Sequence, residues 1–525
     1  MARHTGSRAI FDLTSQGGDH ICRALERIGA AAADIQVKIS PETFRSDFPD
    51  KILATGKVGG LWVECHPWFS PADTQSFWAR LAELSRSMSI FPILGDIHQV
   101  LTALETYPTL PRLVLKGCEA SGWVGRDTLF ILYAAVRDRL RGRTQSPRLF
   151  LWGGVATPEA AAAFLSTGAQ GIVFESLHWL TSMLALEDEV RESLARLQAD
   201  YTELVGEDLA CPVRLFNRGN SLAVKDLKES LASAEGVLNP QVRQAFVRRV
   251  AGASVSPLEG RFSRDELIPL GVEAAFAKDF VSRFGRDTAG AIQAFQEEVA
   301  GLRRKADETP LPFDNSPTAG EWGTRYPFIQ GAMTWITDVP EFALAVAEAG
   351  GLPTLALGMM DGEMLTQRLG RLKDFMGSRP YAVNFLALPE NPHRELQLAW
   401  IKEHRPRFVV IAAGDPVYAR KLRQEGLEVM YLAPNEALLR LACQADVRYL
   451  ILEGQEAGGH VGFHSTLTLA QIALEMKRRE PDLLAGRRLI LAGGIYNRET
   501  AALAAMLGAD AIQLGTAYLA TREIV

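Results

Sequence analysis

The sequence predicts an α/β protein: a C-terminal (β/α)8 barrel of the TIM type, preceded by a degenerate, shorter barrel-like copy and a helical segment. Three observations carry this reading. Apolar runs rich in Val, Ile and Leu alternate with amphipathic helical stretches, the pattern of βα units around a parallel sheet. Eight such runs follow one another in the second half of the 525-residue chain. Part of the same text also recurs in the first half, as an internal repeat would.

The eight runs are PFIQGAM, LPTLALGM, YAVNFLAL, RFVVIAAG, LEVMYLAP, RYLILEG, RLILAGG and AIQLGTA. Each ends in turn residues and passes into a helical pattern, so a closed barrel fits better than an open doubly wound sheet. In the first half, Leu113–Gly125 (LVLKGCEASGWVG) lines up with Leu450–Gly462 (LILEGQEAGGHVG). Gly153–Ser176 lines up with Gly493–Thr516 without gaps, and VGGLW near Gly59 echoes AGGLP near Gly350. This first copy shows six strand candidates and no evident counterpart of YAVNFLAL or RFVVIAAG. The expected organisation is a lead segment at 1–32, the repeat at 33–186, a helical insert and linker at 187–320, and the barrel at 321–525. The chain stops just after the eighth strand, where a barrel needs a final helix, so a longer polypeptide is expected.

Composition narrows the class. Hydrophobic residues at 47% and charged residues at 22% are ordinary globular values, and the net charge of −6 gives no basic footprint for nucleic acid. No apolar run is long enough to cross a bilayer, and the N-terminus has no secretory core. Five cysteines, never in a C-x-x-C pair, argue against a disulfide framework or structural zinc. A cytoplasmic protein without nucleic-acid, membrane or metal partners is the expectation.

Barrel active sites lie at the C-terminal ends of the strands. There, Gly493 and Gly494 end one strand and open a helix, while Gly515 and Thr516 form a second turn. Backbone N–H groups at such turns cradle phosphate, and glycine lets the anion come close. Taken singly, each pair is also what an ordinary tight turn looks like. In LEGQEAGGHVG, three small residues leave room for a flat ligand, and His460 follows at the rim, suited to acid–base work. His404 and His464 lack that glycine context and read as surface or core histidines.

The motifs QGAMTWITD, AEAGGL, YAVNF, AAGDP, EGQEAGGHVG, AGGI and GADAIQLGT occur in the order found in the nitronate monooxygenase (2-nitropropane dioxygenase) superfamily. The segment 325–525 resembles that superfamily, and within it the flavin-dependent enoyl-acyl-carrier-protein reductases. Trp335, close behind Met333, and Glu453, where many nitronate monooxygenases carry Gln, lean toward the reductases. The resemblance implies FMN as cofactor and NADH or NADPH as reductant. It places Gly331, Ala332 and Met333 against the flavin ring, Asn384 on its polar edge, and Glu453, Gly458 and Gly459 beside it. It puts the phosphate on Gly493, Gly494, Gly515 and Thr516, and makes His460 the catalytic acid or base. Three functions follow: reduction of an enoyl thioester on acyl carrier protein in polyketide or fatty acid synthesis, oxidation of alkyl nitronates with O2, or a non-catalytic megasynthase module. The associations implied are an acyl carrier protein or acyl thioester, other domains of a longer polypeptide, and a homodimer.

In the first copy Trp123 replaces His460, Lys116 replaces Glu453 and Glu175 replaces Gly515. Tryptophan does not shuttle protons, and a carboxylate at a phosphate turn repels the anion. That copy is therefore expected to bind no flavin and to serve as a packing partner or docking platform.

Overall fold

A computed structural model describes residues 9–12, 14, 35–55, 58–65, 71–232, 239–308, 313, 315–358, 360–459 and 461–524, with backbone alone at 55, 71–74 and 232. Two compact units emerge: 1–161 with 168–300, and 301–525 with 162–167.

The first unit is built on β1 (Ala9–Asp12), β2 (Ile35–Ile39), β3 (Gly60–Glu64), β4 (Ser89–Leu94), β5 (Arg112–Lys116), β7 (Arg148–Trp152) and β8 (Gly171–Val173). These seven strands form one sheet, in that order and wholly parallel. Two-residue β6 (Gly122–Trp123) instead joins β9 (Thr202–Val205) and β10 (Val213–Phe216) in a small antiparallel sheet. The segment after 187 is therefore not wholly helical. Its two apolar runs, TELV and VRLF, pair through a turn in which Gly206 and Ala210 take positive φ.

The strand count corrects the sequence expectation. The sheet has seven strands instead of six, because AIFD of the lead segment forms β1. Counting back from β5, the counterpart of the sixth barrel strand, β4, β3, β2 and β1 take the fifth, fourth, third and second places. The third and fourth strands are thus present. VGGLW opens β3, in the fourth place, so its echo of AGGLP is accidental. Among the described residues it is the first place that has no strand.

The second unit contains β11 (Phe328–Gln330), β12 (Thr354–Ala356), β13 (Ala382–Leu386), β14 (Phe408–Ala413), β15 (Val429–Leu432), β16 (Tyr449–Glu453), β17 (Arg488–Ala492) and β18 (Ala511–Leu514). They pair in parallel in the order β11-β18-β17-β16-β15-β14-β13-β12. The two ends of that order meet at a parallel bridge between Ile329 and Leu352. There Gln330 N–H donates to Leu352 O at 2.9 Å and Leu352 N–H to Phe328 O at 2.8 Å. This is the predicted eight-stranded barrel. β16 and β17 are buried on both faces, as their unbroken apolar runs required.

The linker ahead of the barrel packs against it. Ser316 caps a short helix, Pro317–Trp322, whose Trp322 side chain is buried against Phe408 and Tyr449. The neighbouring Glu321 carboxylate pairs with Arg448 at 2.7 Å and accepts from Tyr449 Oη at 3.2 Å. These contacts seal the N-terminal end of β16 and leave the opposite end to the βα loops. No described helix is long and apolar enough to cross a membrane.

Candidate active site

In the second unit, the loop after β11 is organised by a residue the sequence reading missed. Gln330 is fully buried; its amide donates to Gly331 O at 2.6 Å and Thr337 Oγ1 at 2.9 Å, and its Oε1 accepts Thr354 N–H at 2.9 Å. It ties Gly331–Thr337 to the neighbouring strand, fixing Ala332 and Met333 at the barrel mouth. A polar side chain inside an apolar strand, just before Gly331, was the available signal.

A second missed residue is Glu456. Its carboxylate accepts the N–H of Thr466 at 2.8 Å, at the start of helix Thr466–Arg479. The first unit repeats this bond, with Glu119 accepting the N–H of Leu129 at 2.9 Å. Both carboxylates sit ten residues before the amide they hold. An anion at a helix start complements the partial charge there.

The glycine turns also match between units. Gly493 and Gly494 have φ of 108° and 71°, and Gly153 and Gly154 have 123° and 71°. A Cβ on Gly493 would lie 2.7 Å from Thr466 Oγ1, so the turn admits only glycine without rearrangement. Gly458 and Gly515, in contrast, have nothing among the described residues within 4 Å of an added Cβ, and Gly459 has φ of 91° with equally open surroundings. Open space beside glycine at the ends of β16 and β18 is room for a ligand.

The turn after the eighth strand supplies the most informative comparison. In the first unit, Glu175, Ser176 and Leu177 donate their three N–H groups to one oxygen, Oε1 of Glu273, at 3.0, 3.0 and 2.7 Å. The turn therefore converges three donors on a single carboxyl oxygen. Glu175 itself is turned away and accepts from the N–H of Ser121 at 3.0 Å. In the second unit the equivalent N–H groups belong to Gly515, Thr516 and Ala517, and among the described residues they meet no acceptor.

Strand register extends the comparison around the barrel mouth. In the first unit Ile39 faces Val63, Glu64 faces Ile93, and Ile93 faces Val114. In the second, Phe385 faces Ile411, Ile411 faces Tyr431, and Leu432 faces Ile451. Since Val114 aligns with Ile451, Lys38 stands where Asn384 stands and Glu64 where Ala412 stands. Asp12 faces Lys38 as Ala356 faces Asn384, and Lys116 faces Trp152 as Glu453 faces Ala492. The second unit thus lines its strand ends with three alanines, Asn384 and Glu453.

The first unit fills the same positions with charge. Lys38 Nζ lies 2.8 Å from both Asp12 Oδ2 and Glu64 Oε1, and Lys116 Nζ lies 3.1 Å from Glu64 Oε1. Both ammonium groups sit over Trp152, at 5.0 and 4.8 Å from its ring. Burial pulls Lys38 down, yet Glu64 and Asp12 together hold it above the ordinary lysine range. The strand carrying the counterpart of Asn384, expected to be absent, is present as β2 with a lysine in that place.

Glu453 is buried, and burial pushes its carboxyl up to about 7. Asn384 and Met333 are half-buried, while Thr516 is exposed. The structure therefore brings Gly331, Ala332, Met333, Asn384, Glu453, Gly458, Gly459, Gly493, Gly494, Gly515 and Thr516 to one end of one barrel, on the loops and last residues of its strands. His460 lies outside the described residues.

Residues 315–524 match the nitronate monooxygenase family. The match falls on the second unit, whose barrel resembles that superfamily, and it marks an oxidoreductase of flavin-dependent type. A probable nitronate monooxygenase from Staphylococcus saprophyticus is 27% identical over 246 residues, covering 39% of this chain and 68% of that protein. The nitronate monooxygenase of Pseudomonas aeruginosa is 28% identical, with 38% and 68% covered. An indene-carboxyl-CoA dehydrogenase of Rhodococcus jostii is 27% identical, and the match takes in 38% of this chain and 54% of that one. Among solved structures, FabK from Thermotoga maritima shares 28% identity over 40% of this chain and 64% of its own, with a TM-score of 0.36.

Proposed function

We propose that the second unit binds FMN and uses NADH or NADPH to reduce an enoyl thioester, presented on an acyl carrier protein or as an acyl thioester. The observation that carries the cofactor is the turn Gly515–Ala517, whose N–H groups meet no acceptor among the described residues, whereas its first-unit counterpart closes three N–H groups on a carboxyl oxygen. Donors so arranged suit the phosphate of FMN, with Gly493 and Gly494 completing the cradle. The small strand-end residues Ala356, Ala412 and Ala492 then leave width for a flat ring, with Asn384 at its polar edge. When bound, FMN supplies the hydride transfer that side chains cannot perform.

The chain's own groups supply the rest. A Glu453 carboxyl near 7 carries a proton in a good fraction of molecules at neutral pH, so it donates a hydrogen bond where a carboxylate would repel a reduced, electron-rich ring. His460, in the adjoining loop, is the proton donor to the substrate carbon. Thioester chemistry is also in keeping with the Rhodococcus jostii relative, named for a CoA ester.

The family match and the Staphylococcus and Pseudomonas relatives favour a second reading, oxidation of an alkyl nitronate with O2. One experiment separates them: anaerobic absorbance titration with NADH, followed by a short enoyl thioester. Bleaching of the flavin band by NADH and its return with the thioester are expected. Flavin that stays oxidised under NADH but consumes O2 with an alkyl nitronate would replace the reductase reading with the second. Protein without any flavin band would overturn both.

A further inference from the structure

The insert of the first unit lines an open cavity of about 520 Å³, with no strand-end residue of the seven-stranded sheet in its walls. That lies in the range of small-molecule sites. Its walls carry Arg196, Arg218 and Arg264 and no acidic side chain, with Tyr201, Phe216 and Phe262 as the aromatic part. Arg196 already pairs with Glu192 at 3.0 Å. Arg218 lies over the Tyr201 ring at 5.2 Å, and among the described residues neither Arg218 nor Arg264 has a carboxylate partner. Two exposed guanidinium groups without counter-ions at the edge of an aromatic cavity are free to take an anion by paired N–H donors.

The backbone is committed to this shape. Phe262 holds a φ of +54°, unusual for an aromatic residue, and packs edge-on against Phe216 at 5.1 Å. Glu266 secures the loop by accepting the N–H groups of Arg261 and Ser263 at 3.1 and 3.0 Å. Backbone strain held in place by its surroundings is the pattern found at ligand clamps. The helix Leu222–Ala232 also begins at the cavity, through Asn220 and Ser221, and adds the positive end of its dipole.

We propose that this cavity binds a nucleoside phosphate, with the ring against Tyr201 and Phe262 and the phosphate on Arg218 and Arg264. Guanidinium pairs recognise phosphate by paired N–H donors, and a flat base matches the aromatic wall. The site is independent of the flavin reading of the second unit.

Calorimetric titration of the full chain with ADP tests it. Saturable binding is expected, weakening as salt is raised, because exposed arginines are screened. Adenosine and inorganic phosphate should each bind at least about tenfold more weakly, since each forgoes one half of the contact. Arg218→Ala combined with Arg264→Ala should weaken ADP about a hundredfold while the flavin content of the protein stays the same. Absence of saturable ADP binding, affinity unchanged in the double variant, or phosphate alone binding as tightly as ADP would each overturn the assignment.

Discussion

The two units use one set of backbone turns for opposite ends. Glycines at 153–154 and 493–494 have closely similar positive φ, and Glu119 and Glu456 brace the same helix start. What differs is the filling. The first unit places Asp12, Lys38, Glu64, Lys116 and Trp152 where the second has Ala356, Asn384, Ala412, Glu453 and Ala492. It also closes its eighth turn on Glu273, where the second leaves three N–H groups open. Backbone geometry is therefore a poor guide to whether a barrel still holds a ligand. The side chains at the strand ends decide it.

That contrast is broken most directly by Gly515→Glu, which gives the second unit the residue of the first. Ser121, whose N–H and hydroxyl turn Glu175 aside in the first unit, is replaced by Gly458 in the second, so the new carboxylate should stay beside the cradle and expel FMN, read as loss of the flavin absorbance from purified protein. Retained flavin would show that the turn does not hold the phosphate. Next in size, His460→Ala should keep the flavin band and lower turnover by roughly 10²–10⁴, the range of a lost general acid. Unchanged turnover would remove His460 from its role.

Within the first unit, Glu273→Ala strands three buried N–H groups. A cost of about 2–5 kcal/mol in its unfolding is expected from denaturant titration, with flavin in the second unit unaffected. The native residue also carries a pH signature. Burial and the nearby Glu175 push Glu273 up to about 8, against the pull of the three N–H groups. The folded state then holds a proton that the unfolded chain has released, so stability should fall as pH rises from about 4.5 through about 8. Glu273→Gln should flatten that slope, and a slope identical in the variant would assign it elsewhere. The smallest effect expected is at Glu453. Turnover should decline as pH rises through about 7 in the native enzyme, and Glu453→Gln should remove that limb at a few-fold cost in rate.

Much of this was legible in the sequence. The eight strands of the second unit announced themselves because parallel strands buried on both faces read as continuous apolar runs. The glycines at 493–494 were legible because their positive φ favours glycine, and Gly515 because it follows the eighth apolar run directly. The first unit was harder to read. IQVKI places Gln36 and Lys38 on buried sites, and a lysine inside a strand mimics a solvent face until Asp12 and Glu64 are seen to pair with it. Glu273 had no local signal at all, since it lies 98 residues from the turn it fills and only folding joins the two. The repulsion expected from Glu175 was also misplaced. Its carboxylate turns to Ser121, and another residue takes the anion's position.

The Glu273 contact has a thermodynamic consequence. A ligand from solution stabilises a fold by an amount that rises with its concentration over its dissociation constant. An acceptor built into the chain arrives at fixed local concentration whatever the cell supplies. The first unit should accordingly melt at one temperature regardless of flavin supply, whereas the second should melt higher as FMN is added. One polypeptide would then carry a unit indifferent to vitamin status and a unit whose persistence depends on it.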